Sequence, residues 1–280
     1  MNVGNDIKHS NAIVYGDFVE LKTYTIKPER HNYSHKKNGY NSLTQFERSI
    51  FNLSREERIK AREQKVMDTR FKNSYRTRNA FIRLVIHNAT LLSPDMSVMT
   101  LTFDPLLFGA DRNDYDATRF EVNLFLTKRL KILYPDYSYI AVPEQHEKGG
   151  FHYHVITWGI PLSVVNSERS SRYLAGVWGN GFLDYAVARF PKGVAGYMAK
   201  YFSKAYTSDW CRGKRSYTAS GNVKRPLELR GQTQVSYLEN IIGSIIDDGR
   251  IQFEKTYNTK YHGIAVRKIY DVSSVVPRVV

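Results

Sequence analysis

At 280 residues and 42% hydrophobic content the chain can bury a core of its own, and its formal charge of +14 and pI near 9.7 point to a polyanionic partner, nucleic acid before an acidic membrane surface. The single cysteine, Cys211, excludes an intramolecular disulfide and a cysteine-based zinc cluster. With no apolar run of about 18 residues and no signal-peptide pattern, the sequence reads as a cytoplasmic protein with no membrane role.

Residues 1–41 read as irregular, with cationic and Asn/Gly-rich patches such as HNYSHKKNGYN. Ser42-Leu43-Thr44-Gln45 and Ser54-Arg55-Glu56-Glu57 both match the capping box, so helices are expected over about 43–52 and 55–88. The second is cationic: residues 54–84 hold ten Lys/Arg against four acids. Such a helix either lies along a phosphate backbone or presents a solvated face. Val98-Met99-Thr100-Leu101-Thr102-Phe103 alternates with period two and is rich in β-branched residues, which predicts a strand. A third capping box, Thr118-Arg119-Phe120-Glu121, precedes a helical stripe of Val122, Leu126, Leu130 and Leu133. Tyr137–Glu144 and Phe151–Trp158 read as strands joined by a turn at Lys148-Gly149-Gly150. Helices are expected over 163–178 and 192–206, and strands over 182–189, 250–256 and 261–269. This order implies an α+β protein with a central antiparallel sheet and helices packed on one face of it. Three regions follow: a basic, mainly helical extension over 1–95, a core over 96–210, and a β-containing extension over 211–280.

The stretch EQHEKGGFHYHVITW places three of the chain's eight histidines, His146, His152 and His154, close together. Residues i and i+2 on a strand share a face, so His152 and His154 project together and Tyr153 points away. A hairpin centred on Lys148 sets Glu144 directly opposite His152, on the same face. Two imidazoles and a carboxylate with positions left open suit a divalent cation that also touches substrate. A bare H-x-H is more often a pair of surface histidines; the glutamate register and the glycine turn favour metal.

In GYMAKYFSK, Tyr197 and Tyr201 are four apart on one helix face, each followed three residues later by a lysine, Lys200 and Lys204. A phenol is a poor nucleophile at neutral pH unless nearby cations favour the phenolate. The competing reading is an amphipathic helix whose tyrosines pack at the edge of the core.

A Thr-rich strand, an acid followed by H-x-H, and Y-x-x-K on a helix, in that order, resemble the three motifs of the HUH-endonuclease superfamily, the rolling-circle replication initiators of plasmids, phages and small single-stranded DNA viruses. The Y-x-x-x-Y spacing is most similar to the two-tyrosine microvirus-phage type. The resemblance covers roughly 97–205 and implies a nickase and strand transferase acting on single-stranded origin DNA through a 5′-phosphotyrosyl intermediate. It further implies Mg²⁺ or Mn²⁺ on Glu144, His152 and His154, nucleophiles at Tyr201 and Tyr197, and lysines at Lys200 and Lys204 that steady the phosphate. His146 stands where several relatives carry glutamine and competes with Glu144 as third ligand. No G-x-x-x-x-G-K-[ST] is present, so a host helicase is an expected partner beside a host polymerase. A relaxase or transposase shares the same chemistry, and a non-catalytic nucleic-acid-binding protein would use the tyrosines to stack bases.

Overall fold

The computed structural model describes residues 9–25, 47, 49–50, 53–92, 96–147, 149–202, 209–211, 214–242, 250–259 and 263–273. The expected helix over 43–52 falls largely outside these residues, as do Lys148 and Lys204.

The chain opens with two strands, β1 (His9–Tyr15) and β2 (Phe18–Tyr24), where the sequence reads as irregular. Gly16-Asp17 between two β-branched runs is a hairpin signal. It is obscured by polar neighbours, and the strands find partners only far along the chain. The long helix α1 (Arg55–Leu91) starts at the expected capping box: Ser54 Oγ accepts from the Glu57 N–H, and Glu57 accepts from the Ser54 N–H. Strand β3 (Met96–Thr102) follows, then α2 (Tyr115–Leu124), which runs through a π-helical turn, Phe125–Arg129, to Leu133.

The start of α2 differs from the expected Thr118 capping box. Asp114 takes the cap, accepting from the Asp116 and Ala117 N–H groups, while Thr118 is buried one turn inside and donates to the Asp114 carbonyl. A carboxylate at the first orphan donors leaves Thr118 no capping role.

Next come β4 (Ser138–Gln145), β5 (Phe151–Trp158), α3 (Glu168–Trp178), β6 (Leu183–Val187) and α4 (Pro191–Met198). Beyond them lie β7 (Thr218–Ala219), β8 (Leu227–Arg230), α5 (Gln232–Ile242), β9 (Ile251–Asn258) and β10 (Ile264–Asp271). The short turn Leu162–Val165 precedes α3, dividing the single helix expected over 163–178.

The fold is α+β with two antiparallel sheets, one in the order β6-β3-β5-β4-β7 and the other β8-β1-β2-β10-β9. In the first sheet β4 and β5 are buried almost without alternation, because helices cover both faces and not one. On one side Leu101, Tyr153 and Val155 pack against Phe125, Leu126, Leu174 and Trp178. On the other, Val142, Ile156 and Trp158 pack against Phe81 and Val85 of α1 and Met198 of α4. Gly181 lets the chain entering β6 close on the end of β3, where a Cβ would collide with the Thr102 carbonyl. There the Thr102 N–H donates to the Phe182 carbonyl and the Asp104 N–H to that of Asn180.

The second sheet joins strands from near the two ends of the chain. Its β2–β10 pairing sets Lys22 opposite Arg267 and Glu20 opposite Ile269. One face packs on α5 through Val19, Leu21 and Val235; the other meets Ile82 and Ile86 of α1 through Ile13 and Phe18. Helix α1 is therefore shared by both sheets. No helix among the described residues is long and apolar enough to cross a membrane.

Candidate active site

The site is built on the β4–β5 hairpin. Its register is the one the glycine turn predicts, with Glu144 opposite His152 and Val142 opposite His154. Gly149 and Gly150 make the turn possible: their φ values of +85° and +86° lie where L side chains are strained. The turn is closed by the His146 N–H donating to the Gly150 carbonyl and braced by the Gly150 N–H donating to Asn113 Oδ1 at 2.6 Å.

Glu144 Oε2 lies 2.8 Å from His152 Nε2 and 3.0 Å from His154 Nε2. One ligand atom from each residue falls within 4.8 Å of the others, a group that could hold a metal ion. Burial alone would raise the Glu144 carboxyl, but hydrogen bonds from His152 and His154 hold it below the usual carboxylate range. Burial lowers His154 against the opposing pull of Glu144, which favours its neutral form. An ionised carboxylate and a neutral imidazole are the protonation states that divalent-ion binding requires. His154 Nδ1 sits 3.4 Å from Thr100 Oγ1 on β3, so its Nε2 is the nitrogen turned to the cluster. Residue types, proximity and protonation state all fit a divalent cation with N₂O ligation. His146, the rival third ligand, is exposed at the end of the hairpin; its ring centre is 5.5 Å from that of His152, and it is not among the three grouped residues.

The tyrosines arrive on α4 and its continuation. Pro191 opens the helix, the turn at Ala199 interrupts it, and residues 200–202 are helical again. Ala195, Met198, Ala199 and Phe202 are fully buried, fixing the helix on the sheet and turning Tyr197 and Tyr201 toward the hairpin. The Tyr201 ring stacks on His154 at 4.4 Å with a 6° interplanar angle, and the Tyr197 ring meets Tyr201 edge-on at 5.5 Å. Tyr201 is buried and Tyr197 is half exposed. Burial, a hydrogen bond with Tyr197 and the nearby Glu144 charge all push the Tyr201 phenol well above its ordinary range. Lys200 Nζ lies over the Tyr197 ring at 5.4 Å, while Lys204 lies outside the described residues.

The structure thus brings together Glu144, His152, His154, Tyr197 and Tyr201, with Lys200 at their edge. Sequence reasoning missed Thr100. It lies on the expected strand, but only the β3–β5 pairing, with Thr100 opposite His154, reveals its place behind the imidazole.

An α+β sheet carrying a metal-chelating group beside a tyrosine pair is a site equipped for ionic substrates rather than apolar ones. Residues 96–206, from β3 through the tyrosines, match the model of a family described as replication-associated protein of the ORF2 type. Over that stretch, about two-fifths of its length, the chain is similar to replication proteins. No curated protein and no solved structure matches the chain.

Proposed function

We propose that this protein is a metal-dependent DNA nickase and strand transferase that initiates rolling-circle replication. The observation that carries the reading is the Tyr201 ring lying flat on His154 at 4.4 Å, beside a group able to chelate a divalent ion. The replication-family match over the same residues supports it.

Glu144, His152 and His154 would hold Mg²⁺ or Mn²⁺, and the ion, when bound, polarises the scissile phosphodiester. Tyr201 Oη attacks phosphorus and loses its proton; the bond from phosphorus to the 3′ oxygen breaks, and that oxygen takes up a proton. The 5′ phosphate remains esterified to Tyr201, while the free 3′-OH primes a host polymerase. Storing the bond energy in the tyrosyl ester lets the circle close without ATP. Tyr197, perpendicular to Tyr201 and more exposed, is placed for the second attack that releases the first ester. Lys200 and Lys204 neutralise the phosphate during both steps. Separating the strands ahead of the polymerase falls to a host helicase.

The test is incubation with single-stranded origin DNA and Mn²⁺, followed by denaturing gel electrophoresis. A covalent protein–oligonucleotide adduct, abolished by EDTA, is the expected result. Absence of an adduct, or one formed equally well in EDTA, sinks the reading.

A further inference from the structure

Away from the tyrosines, on the face of the second sheet that looks toward α1, lies a groove of about 680 Å³ lined by Lys22, Tyr75, Arg76, Arg83, Phe253, Lys255, Tyr257 and Arg267. Its floor is a row of cations across three strands: Arg267 on β10 is paired with Lys22 on β2 and with Lys255 on β9. Like charges placed directly opposite one another destabilise a sheet. One buried carboxylate answers part of that charge: Glu20 accepts from Arg267 at 2.9 and 3.0 Å and from Arg83 at 3.1 Å, and pairs with Lys22 at 3.3 Å. Among the described residues, neither Arg76 nor Lys255 has an acidic partner within salt-bridge distance. Folding alone gives no reason for these two cations to border the row.

Aromatic surface stands among them. Phe253 is 40% exposed, on an edge strand, with the Arg267 guanidinium 5.3 Å from its ring centre, and Tyr75 is 55% exposed on α1. Open ring faces flanked by cations are what unpaired bases and their phosphates require, and a duplex offers no base face for stacking. The groove is also connected to the candidate active site. Ser74, next to Tyr75, donates to the Phe202 carbonyl beside Tyr201, so one strand of DNA can pass from the tyrosines across α1.

We propose that this groove is a second binding site, for single-stranded DNA, in which bases stack on Phe253, Tyr257 and Tyr75 and phosphates lie on Arg76, Lys255 and Arg267. It rests on the reading of the chain as a DNA-processing protein for the identity of the ligand, and not on the cleavage chemistry.

The experiment is fluorescence anisotropy of the full-length protein with a labelled oligothymidylate in EDTA, where no strand is cut. Phe253→Ala is expected to lower affinity about tenfold, the loss of one stacked base. The pair Arg76→Glu and Lys255→Glu should weaken binding and flatten the slope of log affinity against log salt by about 1.4, two phosphate contacts on a single strand. Should Phe253→Ala unfold, Phe253→Leu keeps the bulk without the π face and carries the same expectation. Unchanged affinity in folded variants overturns the proposal, as does tighter binding of oligouridylate or of duplex DNA. Failure of the covalent-adduct assay would instead remove the nickase reading and leave this binding result standing.

Discussion

His154 meets three requirements at once. Its Nε2 faces Glu144, its Nδ1 faces Thr100, and its ring supports Tyr201. Each contact has a separate consequence. Tyr201→Phe keeps the ring on the imidazole and removes only the hydroxyl, so stability should persist while the first covalent adduct is lost. Tyr197→Phe should still nick but fail in repeated transfer on a circular template. Mass spectrometry of the trapped peptide identifies the residue carrying the nucleotide, and an adduct on neither tyrosine refutes the assignment. Thr100→Val removes the group behind Nδ1 and should weaken Mn²⁺ binding about tenfold, as loss of a metal ligand's orienting partner does. Titration of the purified protein with Mn²⁺ measures this, and unchanged affinity would leave Thr100 a packing residue. The histidine pair, the glutamate register and both tyrosines were legible in the sequence because strand and helix periodicities are local. Thr100 was not, because its role depends on which strand neighbours β5.

At the scale of elements, the β4–β5 hairpin depends on its turn. Gly150 has φ +86°, and its N–H is held by Asn113. Gly150→Ala forces an L side chain into that region and is expected to cost about 1–2 kcal/mol. A lowered thermal midpoint together with reduced adduct yield is the outcome sought; an unchanged midpoint would mean that the turn relaxes at no cost. The same hairpin shows why sequence reading succeeded here: a glycine pair between two apolar runs leaves few alternative registers. It did less well at helix starts. Thr118 and Asp114 both carry capping side chains, and the choice fell to Asp114 once Thr118 was buried against Tyr153.

At the scale of the whole molecule, Glu20 ties β2 to β10 and to α1, through Arg267 and Arg83. Burial would raise its carboxyl, but the Arg267 hydrogen bonds and the charges of Arg83, Arg267 and Lys22 hold it below its ordinary value of 4.5. A carboxylate whose folded pKa is depressed stabilises the fold above its unfolded pKa, and that contribution is lost as pH falls through the folded value. Stability of the protein should therefore decline below about pH 4.5, toward the depressed folded pKa. Glu20→Gln should lose about 3 kcal/mol at pH 7, since it leaves partly buried cations unanswered, and should show a shallower acid decline. Urea unfolding between pH 7 and 3 compares the two proteins; parallel curves would remove Glu20 from the account.

The sequence by itself determined the elements whose signals are local: the capped α1, the strand carrying His152 and His154, the glycine turn opposing Glu144, and the tyrosine spacing. It also pointed to an anionic partner through charge alone. Only tertiary structure decided that β1 and β2 are strands, because their partners β8 and β10 lie more than 200 residues away. Tertiary structure likewise covered the first sheet on both faces, laid Tyr201 on His154, and opened a cationic groove beside α1. Those outcomes depend on which surfaces meet across the chain, and no local periodicity encodes that.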